Sequence, residues 1–340
     1  MTTKRGRIEI SGFHSENVED RASISGWTED SDREIVSRWV KVARTFKRDR
    51  LALIGGLIVG LMLFAALFSR PLTVGGVTVQ PFELVPYDPT RTRVGDPWAS
   101  PSLSHPMGTD RLGRDMFSRV MFGTRFSVTI GLIVTALSAS FGTVYGAISG
   151  YSGGRVDDLF MRILDLVFAF PALVLVLVIV AMLGRGYWQL VFGFAAVSWA
   201  GYARLIRGEI LKVKQNEYVL AAKALGARDR SVLFRHVIPN AIAPVIVQAT
   251  LSIGTVVIGV AALGFLGVGF APGTPEWGTI LNAHRDTIVG ANDTWNRWWV
   301  TVFPGLMIFI FVMSMNMIGD AINDALDAQG GQEIDNLAGG

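Results

Sequence analysis

Two polar stretches hold most of the residues in this chain that could do chemistry or meet a partner. The first runs from Asn216 to Asn240, NEYVLAAKALGARDRSVLFRHVIPN, and is basic, yet it lies between two long apolar runs. It reads as a short helix, a glycine break and a second short helix. Asn216 is a good N-cap, and Glu217 places a negative charge on the first turn, where the helix dipole favours it. Ala221, Ala222 and Ala224 are small helix formers, and Gly226 stops the helix at the C′ position. Asp229 is placed to cap the second helix and Pro239 to end it. Tyr218, Ala222 and Leu225 fall at i, i+4 and i+7, so the first helix has an apolar face that its own loop leaves uncovered. Such a face either plugs into another protein or rests on lipid headgroups.

The second stretch is His105 to Asp115, HPMGTDRLGRD. Gly108 and Gly113 allow turns, and the charges of Asp110, Arg111, Arg114 and Asp115 can pair locally. Catalytic chemistry finds little else to use. The chain has no cysteine, so thiol chemistry, disulfides and cysteine metal sites are excluded. His14, His105, His236 and His284 are scattered, without ligand spacing. Neither a G-x-x-x-x-G-K-[ST] phosphate loop nor an H-E-x-x-H cluster occurs, which argues against an ATPase and against a membrane-embedded hydrolase. An ion-coupled secondary transporter would call for an embedded ionisable pair and an inverted repeat, and neither stands out.

The elements that must position these stretches are membrane spans. The 340 residues are 50% hydrophobic and only 17% charged, and the apolar residues come in blocks, which marks a polytopic membrane protein. A net charge of +3 is too small to suggest nucleic acid binding. Residues 1–33 read as poorly ordered, and 34–50 as an amphipathic helix on the membrane surface, with Ile35, Trp39, Val42 and Phe46 at helical spacing. A first span over 51–69 carries a Gly56/Gly60 pair suited to close packing. A long polar connection fills 70–125. A core over 126–322 holds five further spans and the loop 207–240, and a tail covers 323–340. On the second span Ser138, Gly142, Gly146 and Gly150 repeat every four residues, a ridge that lets another helix approach closely. On the third, Pro171 suggests a kink, and Asp158, Arg162 and Asp165 can neutralise one another at the membrane boundary. The fourth ends at Arg204 and Arg207. The fifth is rich in glycine, and the loop 271–298 carries Trp277, Trp295 and Trp298, which suit a membrane interface. The fold expected is all-α, with six transmembrane helices.

Six spans put both termini on one side. Of the 31 Lys+Arg, 21 fall in segments 1–50, 150–162 and 204–235, and 10 on the opposite side. The positive-inside rule therefore expects the termini and the 207–240 loop in the cytoplasm.

The spacing of Ala221-Ala222, Gly226 and Ile238-Pro239 resembles the EAA loop of ABC importer permeases. In place of that family's usual glutamate this chain has Leu220, with Glu217 three residues earlier. The stretch Gly108-Thr109-Asp110, Gly113-Arg114-Asp115 just before a span is similar to the C-type permease subunits of peptide and nickel ABC importers, as is Trp199 to Arg207. The resemblance covers about 105–327. It implies a type I ABC importer permease fold in a prokaryotic plasma membrane, with Glu217, Tyr218, Ala221, Ala222, Leu225, Gly226 and Pro239 coupling to an ATPase. It implies a B-type permease partner, two ATPase subunits that bind ATP and Mg in place of this chain, an extracytoplasmic substrate-binding protein, and di- or oligopeptide cargo, with nickel or another small solute as the alternative.

Overall fold

The computed structural model describes residues 49–74, 77–80, 82–290 and 296–338. The surface helix expected over 34–50 lies almost wholly outside the described residues. The chain begins with α1 (Arg50–Phe68), which starts where the Asp49 carboxylate accepts from the amides of Leu51 and Ala52. An antiparallel pair, β1 (Leu72–Val74) and β2 (Val77–Gln80), follows. The polar connection is long enough to turn back and pair with itself, a small hairpin in a chain whose other elements are all helical.

A cap of irregular backbone then leads to α2 (Met116–Ser152), α3 (Gly154–Phe168), α4 (Ala172–Leu183) and α5 (Tyr187–Val213). Next come α6 (Glu217–Ala224), α7 (Asp229–Val232), a wide π-type turn over Leu233–Val237 and α8 (Ile238–Ala241). The chain closes with α9 (Ala243–Phe265), α10 (Trp277–Ala283), α11 (Arg285–Val289) and α12 (Trp299–Ala338). The tail expected over 323–340 continues the last helix as far as Ala338.

Among the described residues α1, α2, α9 and α12 are long and apolar enough to cross a membrane. The third expected span is broken: α3 and α4 meet at 81° across Pro171 and make a fifth crossing if taken together. Proline both lacks an N–H and pushes its predecessor out of helical geometry. The fourth expected span, α5, runs on through the polar stretch to Val213 and is not apolar enough throughout to count on composition.

The seam between α2 and α5 is built from the small-residue ridge. Ser138, Gly142, Gly146 and Gly150 are all buried. A Cβ at Gly142 would lie 2.5 Å from the Trp199 carbonyl, one at Gly146 would collide with the Ala203 carbonyl, and one at Gly150 would sit 3.0 Å from that of Arg207. Backbones approach this closely only where side chains are absent. On α1 a close contact is made at Gly55 and none at Gly60 of the expected pair. A Cβ at Gly55 would meet the Ser314 carbonyl of α12 at 2.9 Å, whereas one at Gly60 meets nothing.

Candidate coupling surface and outer cap

α6 stops as its sequence requires. Gly226 has φ +83, its amide donates to Lys223 O at 2.9 Å, and the Ala227 amide donates to Ala222 O at 3.1 Å, the paired bonds of a Schellman end. The expected caps differ. The Asn216 side chain makes no capping bond, and the Asp229 carboxylate instead accepts from the Tyr151 hydroxyl at 2.7 Å. Pro239 does not end a helix. The wide turn over Leu233–Val237 already breaks the ordinary bonding pattern, and Pro239 sits in the first turn of α8, where a missing N–H costs nothing.

The loop is held from behind. Val219, Val232, Leu233 and Val237 bury themselves against Ile206, Ile210 and Val213 at the end of α5. Ala222 is half-buried and packs into the same cluster. The face left open is therefore Tyr218, Ala221 and Leu225, with Leu220 beside it, and Leu225 is 88% exposed. Glu217 and Pro239 are also exposed. Two anchors escape a reading of the loop alone. Val219 could have been found as the residue one turn before Lys223 and opposite Leu225, and Tyr151 lies in a segment that reads only as a tight turn. Tyr151 grips both halves of the loop, since Lys223 Nζ lies 4.6 Å over its ring. Lys214 Nζ donates to Gly150 O at 2.9 Å alongside.

The boundary charges pair across helices rather than along one. Arg207 forks onto Asp157 with two bonds of 2.6 Å, and Arg204 reaches Asp165 at 3.0 Å while lying over the Phe168 ring. Neither expected pair along α3, Asp158–Arg162 or Arg162–Asp165, forms; α5 instead brings Arg207 to Asp157 and Arg204 to Asp165 from the side.

The motif Gly108 to Asp115 organises the opposite end of α2. Gly108 and Gly113 have φ +69 and +66. Asp110 accepts from the amides of Leu112 (2.8 Å) and Arg114 (3.0 Å) and from Arg114 Nε (2.6 Å). Asp115 caps α2 by accepting from the Ser118 amide and hydroxyl, both at 2.7 Å, and its other oxygen meets His105 Nδ1 at 2.9 Å. The Thr109 carbonyl accepts from Trp299 Nε1 at 3.0 Å, tying the cap to α12. Asp110 and Asp115 are fully buried, while Arg111 stays exposed. Arg119, also fully buried, donates to Pro89 O at 2.8 Å and comes within 4.0 Å of Asp110.

In the loop expected at a membrane interface before α12, Trp277 turns inward while Trp298 stays 42% exposed. Trp277 is fully buried and donates to Val120 O at 3.0 Å, and a Cβ at Gly278 would collide with the Ala261 carbonyl of α9. Glu276 caps α10 by accepting from the amides of Gly278 and Thr279 at 2.9 and 2.8 Å. Burial pushes its carboxyl above the usual range. Burial likewise drives the His284 imidazole down to about 4.

The description "Binding-protein-dependent transport system inner membrane component" matches residues 142–329, and "N-terminal TM domain of oligopeptide transport permease C" matches 37–101. The chain belongs to this binding-protein-dependent transport family. It is 36% identical over 292 residues to the dipeptide transport system permease protein DppC of Alkalihalophilus pseudofirmus, covering 86% of this chain and 90% of that one. It is 38% identical over 295 residues to the glutathione transport system permease protein GsiD of Escherichia coli O6:K15:H31, covering 86% and 91%. It is 33% identical over 313 residues to the oligopeptide transport system permease protein OppC of Bacillus subtilis, covering 91% and 95%. A solved chain of the MetNI methionine ABC transporter is similar with TM-score 0.48 and 15% identity, over 61% of this chain and 97% of that one. This member of the transport family is a C-type permease subunit.

Proposed function

We propose that this chain forms half of the translocation pathway of an ABC importer for di- or oligopeptides and takes its energy from a separate ATPase. In this reading the fold is the type I importer permease fold with six crossings, α3–α4 and α5 completing the set. Both termini and α6 are cytoplasmic, as the charge asymmetry supports. A B-type permease completes the pathway, two ATPase subunits bind ATP and Mg, and an extracytoplasmic binding protein delivers the cargo. The names of the relatives, which refer to dipeptides, glutathione and oligopeptides, support the cargo class.

One observation carries the coupling role. α6 is anchored through Val219 and leaves Tyr218, Ala221 and Leu225 uncovered beside a glycine-fixed bend. Closure of an ATPase dimer onto that face would push on α5 through Val219 and on α2 through Tyr151. The experiment is co-purification of the ATPase subunits with Ala221→Asp and Gly226→Val, together with substrate-stimulated ATP hydrolysis. Ala221→Asp buries an unpaired charge in the interface, and Gly226→Val strains a left-handed residue and re-aims the helix. Both should insert normally and lose the ATPase, while Leu220→Glu is tolerated. Wild-type coupling in both variants would remove α6 from the interface, and an intact chain that binds no ATPase would end the importer reading.

A further inference from the structure

A cavity of about 270 Å³ opens on one side of the helix bundle between α2, α5 and α9. Its polar lining is Thr135 of α2, Ser198 and Tyr202 of α5, and Gln248, Ser252 and Thr255 of α9. Every one of these groups is an uncharged hydroxyl or amide. On α9 the three residues fall at i, i+4 and i+7, a single stripe on a helix that is otherwise largely apolar. Gln248 and Thr255 are exposed, and Gln248 Nε2 donates to Ser252 Oγ at 3.1 Å. Thr135 and Tyr202 are 5% and 3% exposed. The Tyr202 hydroxyl lies beside Ser252 and Thr135, yet neither it nor Thr135 Oγ1 completes a hydrogen bond. An adjoining cavity of about 370 Å³ shares Ser198 and Thr255 and is walled by Phe168, Phe170 and Phe194.

Buried hydroxyls with unmade bonds are costly, and an amide turned to hydrocarbon is costlier still. This face therefore meets something polar. Hydroxyls and a carboxamide can each donate and accept, which matches the alternating N–H and C=O of a peptide main chain. A lining without charge neither selects nor traps cargo by its side-chain charge, and the adjoining phenylalanine wall can take apolar side chains. We propose that the Gln248–Ser252–Thr255 stripe, with Thr135 and Tyr202 behind it, is a subsite that hydrogen-bonds the peptide main chain of the cargo and is indifferent to cargo charge. This rests on the importer reading above.

The test uses the complete complex in proteoliposomes, with saturating binding protein loaded with Ala-Ala-Ala, Ala-Lys-Ala or Ala-Glu-Ala. Maximal import rates of the unmutated complex should be similar for all three. Gln248→Glu should raise the Ala-Lys-Ala to Ala-Glu-Ala ratio several-fold, and Gln248→Lys should invert it. An unchanged ratio in both variants at normal complex yield would mean that the stripe does not touch cargo. A loss of complex yield with no change in ratio would mean that it packs against a partner helix, and would also overturn the proposal. Assembly of the unmutated complex without import of any of the three peptides would instead defeat the peptide-importer reading, and the subsite with it.

Discussion

The two ends of the α2–α5 pair treat similar residues in opposite ways. The cap around Gly108 to Arg119 and the 216–240 loop both combine glycine turns with clustered charge. In the cap the charges turn inward: Asp110, Asp115 and Arg119 are fully buried, with Asp110 bonded to Arg114, Asp115 to Ser118 and His105, and Arg119 to the Pro89 carbonyl. In the loop the charges and several apolar groups turn outward, with Leu225 at 88% exposure and Phe234 at 60%. A region that satisfies itself resists change, and a region left unsatisfied invites a partner. In the proposed reading the cap is the fixed frame and α6 is the part that a partner handles.

The largest effect should come from the frame. Asp110→Ala leaves Arg114 and Arg119 without their buried anion, which costs on the order of 3–5 kcal/mol. Thermal unfolding of the purified chain should shift sharply downward, and an unchanged midpoint would mean that the cap contributes no stability.

Acid should loosen the same frame. His284 is held neutral chiefly by burial, against the opposing pull of the Ile280 carbonyl and Asp110. The unfolded chain takes up a proton near pH 6.5, whereas the folded one resists until about 4. Stability from this group is present above about 6.5 and lost as pH falls toward 4. His284→Gln should flatten the dependence of the unfolding midpoint on pH over that window, and an unaltered slope would assign the acid sensitivity elsewhere.

On the handled side, Leu225→Ala should leave the unfolding midpoint in place, since the side chain touches little within the chain. Removing an exposed anchor from a docked interface should weaken ATPase retention by about 1–2 kcal/mol, read as a salt- or dilution-dependent loss in pull-down. A fall in midpoint without loss of ATPase would reverse the comparison.

The smallest effect sharpens the link between the two. Tyr151→Phe keeps the ring under Lys223 but drops the bond to Asp229, about 1 kcal/mol. ATP hydrolysis should persist while import per ATP falls. Asp229→Ala should do the same, and the double variant should be no worse than either single one; additive losses would mean that Tyr151 and Asp229 act separately.

Local chemistry made some of this legible in the sequence. The apolar blocks, the α6 start at Glu217, the glycine end at Gly226, the small-residue ridge on α2 and the turns at Gly108 and Gly113 all follow from one segment's own residues. The Asp110–Arg114 pair follows too, because its partners are four residues apart. Other features depend on which segments meet. The break at Pro171 was readable as a kink, but its 81° was set by the packing of α3 and α4 against α5. The inward turn of Ala222 and the burial of Trp277 depend on neighbours more than a hundred residues away in the latter case and on the end of α5 in the former. Arg204 and Arg207 chose Asp165 and Asp157 over partners nearer in sequence because the glycine ridge lets α5 lie close alongside α2 and within reach of α3. Helix formation and turning are decided within a few residues, whereas pairing of charges and the facing of an exposed helix are decided by what lies opposite, and only the tertiary structure supplies that.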